Sequence, residues 1–130
     1  MNRQLEDKLF KEFPLLYSKE QDHVCDNFTF ECLDGWYDLL HAFSAEISPL
    51  IEKARETDKD PYEFVARIVR IREKYGALRI HLSTGTDAMY EIIEEYELKS
   101  ESTCEVCGAP GTINYAMTWK SCACEDHQEL

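Results

Sequence analysis

Residues 103–129 read TCEVCGAPGTINYAMTWKSCACEDHQE, and four side chains in this stretch have the spacing of a metal site: Cys104, Cys107, Cys124 and His127. Two thiols separated by two residues can point both sulfurs at one ion, and a second pair can complete a tetrahedron around Zn²⁺. Cys122 is an alternative third ligand. The stretch is too short to bury a core of its own, so we expect the ion to hold it together.

Four strong protein ligands leave no open position for water, which predicts a structural rather than a catalytic zinc. Between the two ligand pairs, Ile113, Tyr115, Met117 and Trp119 alternate along the chain, as in a hairpin arm. The pattern is typical of a zinc ribbon or knuckle. Such modules often bind nucleic acid, but this one carries a single lysine and no arginine among several acids, which disfavours that role.

Length and composition predict one compact body with a small appendage. The chain has 130 residues and 44% hydrophobic content, enough for a core. We expect a helical domain with a small β element over residues 1–102, and a zinc module over 103–130 packed on the preceding helix. With 26 acidic and 14 basic residues the net charge is −12, which repels phosphate backbones and suits either solubility or a basic protein surface.

The cysteines indicate a reducing compartment, because metal thiolates do not persist where disulfides form. Cys25 and Cys32 stand apart from the metal spacing and are predicted to be free thiols, with a second site that includes His23 as the alternative. The first residues lack the apolar stretch of a signal peptide, and no apolar run approaches membrane-spanning length. The sequence therefore predicts a cytoplasmic protein without membrane contact.

Apolar spacing predicts three or four helices. The first covers residues 2–12, and the second begins near Trp36, with Pro49 expected to kink or divide it. Another is predicted from Pro61 to Lys74, with Phe64, Val65, Ile68 and Ile71 inward and Gly76 as its left-handed cap. The last begins after Thr84 or Thr86 and ends near Ser102.

Two short segments have strand character. Residues 28–32 are aromatic and β-prone, whereas residues 77–82 alternate Leu78, Ile80 and Leu82 with more polar positions. We expect these two strands to pair. The predicted fold class is thus α+β, mainly α-helical, with a small two-stranded element and a C-terminal zinc ribbon or knuckle.

Arg79 and His81 share one face of the predicted strand. The planar fork of Arg79 can bind a carboxylate, and an internal ion pair with Asp34 or Asp38 is the expected arrangement. A contact with a ligand or a partner is the alternative. His81 lacks the nucleophile and orienting acid that a catalytic base requires, and Trp36 with Tyr37 is expected to anchor the core.

Three motifs together resemble a family of small phage and prophage proteins, most of them described only as hypothetical. They are CLDGWYDLL at residues 32–40, REKYGALR at 72–79, and STCEVCG at 102–108 followed by a final Cys-x2-His. In this chain Ala77 stands where the family pattern has a second glycine, and Cys122 is additional. The resemblance implies a phage setting, in which small acidic proteins inhibit host defence complexes or modulate host enzymes.

The sequence as a whole predicts a non-enzymatic protein that binds a host protein, such as a nucleic-acid-binding complex of host defence. Four acids of the last helix are the candidate contact residues: Glu91, Glu94, Glu95 and Glu97. A solvated helix face would show the same run of charges. Two other classes remain open, a small enzyme acting on nucleic acid or nucleotides through Arg79 and His81, and a structural or self-assembling protein. The sequence leaves the oligomeric state open.

Overall fold

The computed structural model describes residues 1–17, 29–57, 66–116, 118 and 120–128, and shows an α+β fold. In chain order its elements are α1 (Arg3–Glu12), β1 (Phe30–Glu31), α2 (Tyr37–Thr57), β2 (Ile68–Lys74), β3 (Ala77–Leu82), α3 (Asp87–Ser100), β4 (Thr112–Ile113) and β5 (Cys122–Ala123). Two short 3₁₀ turns, Asp34–Trp36 and Glu125–His127, precede α2 and follow β5.

The first and last predicted helices are confirmed as α1 and α3. Each begins at a polar side chain that accepts a backbone N–H of the first turn, Asn2 from Gln4 at 2.7 Å and Thr86 from Met89 at 3.4 Å. These bonds satisfy donors that a helix start otherwise leaves unpaired. Thr86, rather than Thr84, is therefore the N-cap of α3.

Helix α2 is one element of 21 residues with Pro49 inside it, so of the two expected effects, a kink or a division, the division does not occur. Proline removes one helical hydrogen bond at a cost of about 3 kcal/mol. On the same helix Leu40, Phe43, Ile47 and Ile51 are fully buried. Burying such side chains contributes about 2 kcal/mol each, which outweighs the loss at Pro49.

The main sheet has three strands in the order β1-β2-β3, not two. β1 pairs with β2 in parallel, Phe30 opposite Ile71, and β2 pairs with β3 in an antiparallel hairpin. The expected pairing of residues 28–32 with 77–82 is wrong, because β2 lies between β1 and β3. Phe28, Cys25 and His23 lie outside the described residues.

The predicted helix from Pro61 to Lys74 is also wrong, because residues 68–74 form β2. The reason is a β-bulge: Ile68 lies opposite Leu82 and Arg70 opposite His81, so Val69 is an extra residue. A bulge places two residues against one and reverses the alternation of sides. Ile68 and Ile71 are therefore both buried although they are three apart, which is helical spacing. Residues 58–65 lie outside the described part of the chain.

Gly76 belongs to a two-residue hairpin turn and not to a helix cap. Tyr75 has φ 55° and Gly76 φ 87°, and both lie between β2 and β3. A two-residue hairpin with two positive φ angles matches the twist of antiparallel strands. The Tyr75 side chain is exposed at this tip.

Helix α3 covers the free edge of β3. The Ser100 hydroxyl accepts the backbone N–H of Leu78 at 2.9 Å, and a carboxylate oxygen of Glu97 accepts that of Ile80 at 2.9 Å. An unpaired strand edge is a template for pairing with another chain. Here two of its donors are bonded within the molecule, so the edge is closed there.

Candidate metal centre

The first half of the centre is the loop from Cys104 to Ala109, which follows α3 after three residues. The backbone N–H of Cys104 donates to the Ala109 carbonyl at 2.7 Å, and that of Gly108 donates to the Cys104 carbonyl at 2.9 Å. Gly108 has φ +84°, a left-handed conformation that glycine adopts without strain. These bonds fold the loop so that Cys104 and Cys107 face one point.

The second half comes from the ribbon of β4 and β5. The strands pair in an antiparallel way, Ile113 opposite Cys122. The predicted hairpin arm is confirmed at Ile113 but not at Tyr115, which lies in a turn, and Met117 and Trp119 lie outside the described residues. Cys124 follows β5 and begins the 3₁₀ turn Glu125–His127, in which the His127 N–H donates to the Cys124 carbonyl at 3.1 Å. The turn brings the imidazole back beside the Cys124 sulfur.

The four predicted ligands meet, with their ligand atoms all within 4.8 Å of one another. Sγ of Cys107 lies 3.7 Å from Sγ of Cys124, and Nδ1 of His127 lies 3.1 Å from Sγ of Cys124 and 3.7 Å from Sγ of Cys104. Around tetrahedral Zn²⁺, sulfurs stand about 3.8 Å apart and sulfur and nitrogen about 3.6 Å, from the usual bond lengths. These residues can hold a metal ion.

The environment of the Cys104 thiol favours its deprotonation, which metal binding requires. Cys104 is fully buried, and burial alone raises the pKa of a thiol. Backbone N–H groups of Cys124, Cys107 and Val106 bond its sulfur and outweigh that effect, so its pKa falls to about 6. A thiolate is the form that binds metal.

Cys122 stands apart from this cluster. Its side chain is buried, and its Sγ contacts the Glu101 carbonyl at 3.3 Å, on the side of β5 toward the end of α3. Burial is the main reason that the pKa of Cys122 is raised to about 11. Side chains two positions apart share a side of a strand, but Cys124 lies beyond β5, where the chain turns. The geometry thus places Cys124 in the cluster and Cys122 in the core.

The loop from Cys104 to Ala109, called the metal loop below, docks on the turn Asp34–Trp36, a contact that was not predicted from the sequence. The Gly35 N–H donates to the Glu105 carbonyl at 2.7 Å, and the Trp36 indole N–H donates to the Thr103 carbonyl at 2.9 Å. A Cβ at Gly35 would lie 2.3 Å from the Cys104 carbonyl oxygen. The glycine that precedes Trp36 is the one feature of the sequence that points to a close approach here, but it does not indicate which segment approaches. Trp36 is fully buried, as predicted.

Glu105 is a buried acid beside the first ligand. Burial and then the charge of Glu73 raise its pKa to about 7, against the backbone N–H of Leu33, which acts in the opposite direction. Its backbone N–H donates to the Cys122 carbonyl at 3.0 Å, so residue 105 joins the metal loop to the ribbon as well as to Gly35.

Arg79 and His81 lie on one face of β3, but the expected ion pair of Arg79 is wrong. Its guanidinium donates to the Leu78 carbonyl at 3.0 Å, and within the described residues it bonds neither Asp34 nor Asp38. Asp34 instead accepts the backbone N–H of Asn2 at 2.6 Å. His81 is exposed.

The four acids of α3 fall into two groups. Glu91, Glu94 and Glu95 are exposed, and Glu95 pairs with Lys99 at 3.2 Å. Glu97 is only partly exposed and bonds the edge of β3, which makes it a structural residue of the helix–sheet contact.

No protein-family model, no curated protein and no solved structure matches this chain. Among the described residues, no helix is long and apolar enough to cross a membrane.

Proposed function

We propose that Cys104, Cys107, Cys124 and His127 bind one Zn²⁺ in a closed structural site. Three thiolates and one imidazole suit Zn²⁺ among the common divalent ions. Four protein ligands leave no vacancy for a reacting water, so the ion serves folding and not catalysis. Its sulfur ligands need a reducing compartment, which supports a cytoplasmic location.

We further propose that the protein is a non-enzymatic binding factor that docks through α3. The observation behind this proposal is an exposed row formed by Tyr90, Glu94 and Leu98, in which Tyr90 is 45% and Leu98 69% exposed. Residues four apart lie above one another on a helix, so the row is continuous. Glu91 and Glu95 run beside it. We call these five residues the α3 stripe.

The composition of the α3 stripe indicates the chemistry of its partner. Tyrosine supplies large contact area at low entropic cost and is enriched at binding hot spots. Acids around it favour a positively charged surface, and the net charge of −12 would accelerate the encounter. The resemblance to phage proteins suggests a host protein as partner, such as a defence complex with a basic nucleic-acid groove.

Site-specific photo-cross-linking tests this function. A photoreactive amino acid replaces Tyr90 in one variant and Tyr115, also exposed, in a control. In bacterial lysate we expect the Tyr90 probe to yield a discrete adduct with a basic protein that fades at high salt, and the Tyr115 probe to yield none. Adducts between two copies of the chain, or the same adduct from both probes, would contradict the proposal.

Charge reversal on α3 then measures the contribution of the acids. With the captured partner purified, E91K/E94K should weaken binding at least tenfold at low salt and flatten its salt dependence, because rim charges act mainly through long-range attraction. E52K/E56K makes the same charge change on exposed positions of α2 and serves as the control. If both double variants weakened binding equally, the result would show that α3 is not part of the interface.

A further inference from the structure

The outer face of the main sheet is basic, although the chain is acidic. The facing pairs Phe30–Ile71 and Ile71–Ile80 are buried and define the inner side. Their neighbours along each strand point to the opposite side, since strand side chains alternate. The six polar residues of this outer sheet face are Glu31 on β1, Arg70, Arg72 and Lys74 on β2, and Arg79 and His81 on β3.

Most of this positive charge is not neutralised within the face. Four of the six residues are arginine or lysine, and Glu31 is the single acid among them. Glu31 is engaged by Arg70, with Nε to oxygen at 2.8 Å and Nη2 to the other oxygen at 3.3 Å. This bond lowers the pKa of Glu31, and the charge of Arg72 adds to the effect. The Glu31 carboxylate thus interacts with both Arg70 and Arg72 and cannot neutralise both charges.

Arg72 and Arg79 lie directly opposite each other on β2 and β3. Opposed side chains start about 5 Å apart, and two like charges in this position destabilise a sheet. Nε of Arg72 is buried and has no hydrogen-bond partner among the described residues. The guanidinium of Arg79 bonds the Leu78 carbonyl and keeps its other donors. The pair is unfavourable for folding but suited to an anion between the two forks.

We propose that Arg72 and Arg79 form a binding site for the phosphoryl group of a small phosphate ester, such as a nucleotide. Two planar forks on adjacent strands can each bond two oxygens of one tetrahedral anion, which a carboxylate with two oxygens cannot satisfy equally. A long polyanion is disfavoured, because the net charge of −12 repels it and the basic face is only three strands wide. His81 follows Arg79 on this face of β3 and borders the ester group.

Binding is measured on the zinc-loaded full chain with inorganic phosphate, AMP and a six-nucleotide single-stranded DNA. Nuclear magnetic resonance follows the Nε–H signals of the arginines, and calorimetry gives affinities. Phosphate and AMP should shift the signals of Arg72 and Arg79 in the unmodified protein. No shift at 10 mM of either probe, or shifts with a polyglutamate peptide but not with phosphate, would overturn the proposal.

Variants separate a defined site from general attraction. R79Q should weaken AMP binding at least tenfold, and R79K severalfold, because lysine keeps the charge but loses the fork. K74Q removes the same charge from the same face and should stay within about twofold to threefold, as expected of a flanking charge screened by solvent. A loss with K74Q as large as that with R79Q, or DNA binding far tighter than AMP binding, would contradict a small-ester site.

Stability gives an independent readout. R79Q removes one of two opposed like charges, so its melting temperature should equal or exceed that of the unmodified chain. A clear decrease would show that the pair supports folding and would overturn its assignment as a ligand site. The α3 stripe uses other residues, so failure here leaves the protein-binding proposal intact.

Discussion

At the scale of single residues, Gly35 is the position where the body of the protein and its metal loop come closest. A Cβ there would lie 2.3 Å from the Cys104 carbonyl oxygen and 2.4 Å from that of Glu105. Both atoms belong to a backbone held by hydrogen bonds and, under the proposed function, by Cys104 as a metal ligand. Neither can move without disturbing the metal site.

G35A should therefore lower the free energy of unfolding by at least about 3 kcal/mol, the upper end of typical overpacking costs. It should also weaken metal binding. Urea unfolding at fixed zinc concentration measures the first effect and a competing chelator the second. G85A is the control: its added Cβ meets ends of side chains, Leu82 Cδ2 at 2.3 Å and Met89 Sδ at 3.1 Å, which can rotate away. A cost for G85A equal to that of G35A would contradict this reasoning.

The sequence identified the four clustered cysteine and histidine residues because their chemistry is local and their spacing is regular. It could not exclude Cys122, since a strand as short as Cys122–Ala123 gives no readable alternation. Nor could it assign Gly35, whose neighbours in space are remote in the chain.

At the scale of elements, the contact between α3 and β3 depends on side chains that replace a missing strand. Ser100 is fully buried, and its hydroxyl accepts the N–H of Leu78 at 2.9 Å. A buried donor left unpaired costs its full desolvation energy.

S100A should accordingly destabilise the protein by about 2 kcal/mol, the cost of one buried unsatisfied N–H. S102A offers a matched control, because the Ser102 hydroxyl bonds the Lys99 carbonyl at an exposed position. Its effect should stay within about 0.5 kcal/mol. Thermal unfolding of both variants compares them directly, and equal stabilities would show that water can reach Leu78.

Element prediction succeeded where the apolar spacing is undisturbed, as in α1, α3 and β3. It failed at β2, where the bulge at Val69 gives a strand the spacing of a helix. The parallel pairing of β1 with β2 could not be predicted either, because a strand of two residues has too few side chains to indicate its register.

At the scale of the whole molecule, the proposed ion joins the loop that follows α3 to the ribbon of β4 and β5. The ribbon is too small for a core of its own, and it meets the body through Ile113, which abuts Gly76, and through Cys122, which is buried in the main core. Gly35 and Trp36 hold the adjoining loop at Thr103 and Glu105. Removing the ion should release the ribbon and lower the stability of the body as well.

Elemental analysis should find one zinc per chain in the unmodified protein and in C122S, and less than one in C124S. The two substitutions are chemically identical and two residues apart, but Cys122 lies in the core and Cys124 in the cluster. Chelation should lower the melting temperature of the unmodified protein and C122S, with little further effect on C124S. Loss of zinc in C122S with retention in C124S would reverse the ligand assignment.

The bond between Trp36 and Thr103 has a consequence for biosynthesis, since it spans 67 residues of sequence. A nascent chain emerges from the ribosome in order, so the indole of Trp36 and the amide of Gly35 leave the exit tunnel long before their acceptors are translated. Until then this turn must remain hydrated or be shielded by a chaperone. Folding is therefore complete only when the loop that contains Thr103 and Glu105 binds the turn that contains Gly35 and Trp36. If zinc orders that loop, the cellular zinc supply would determine how quickly newly made chains become resistant to proteases.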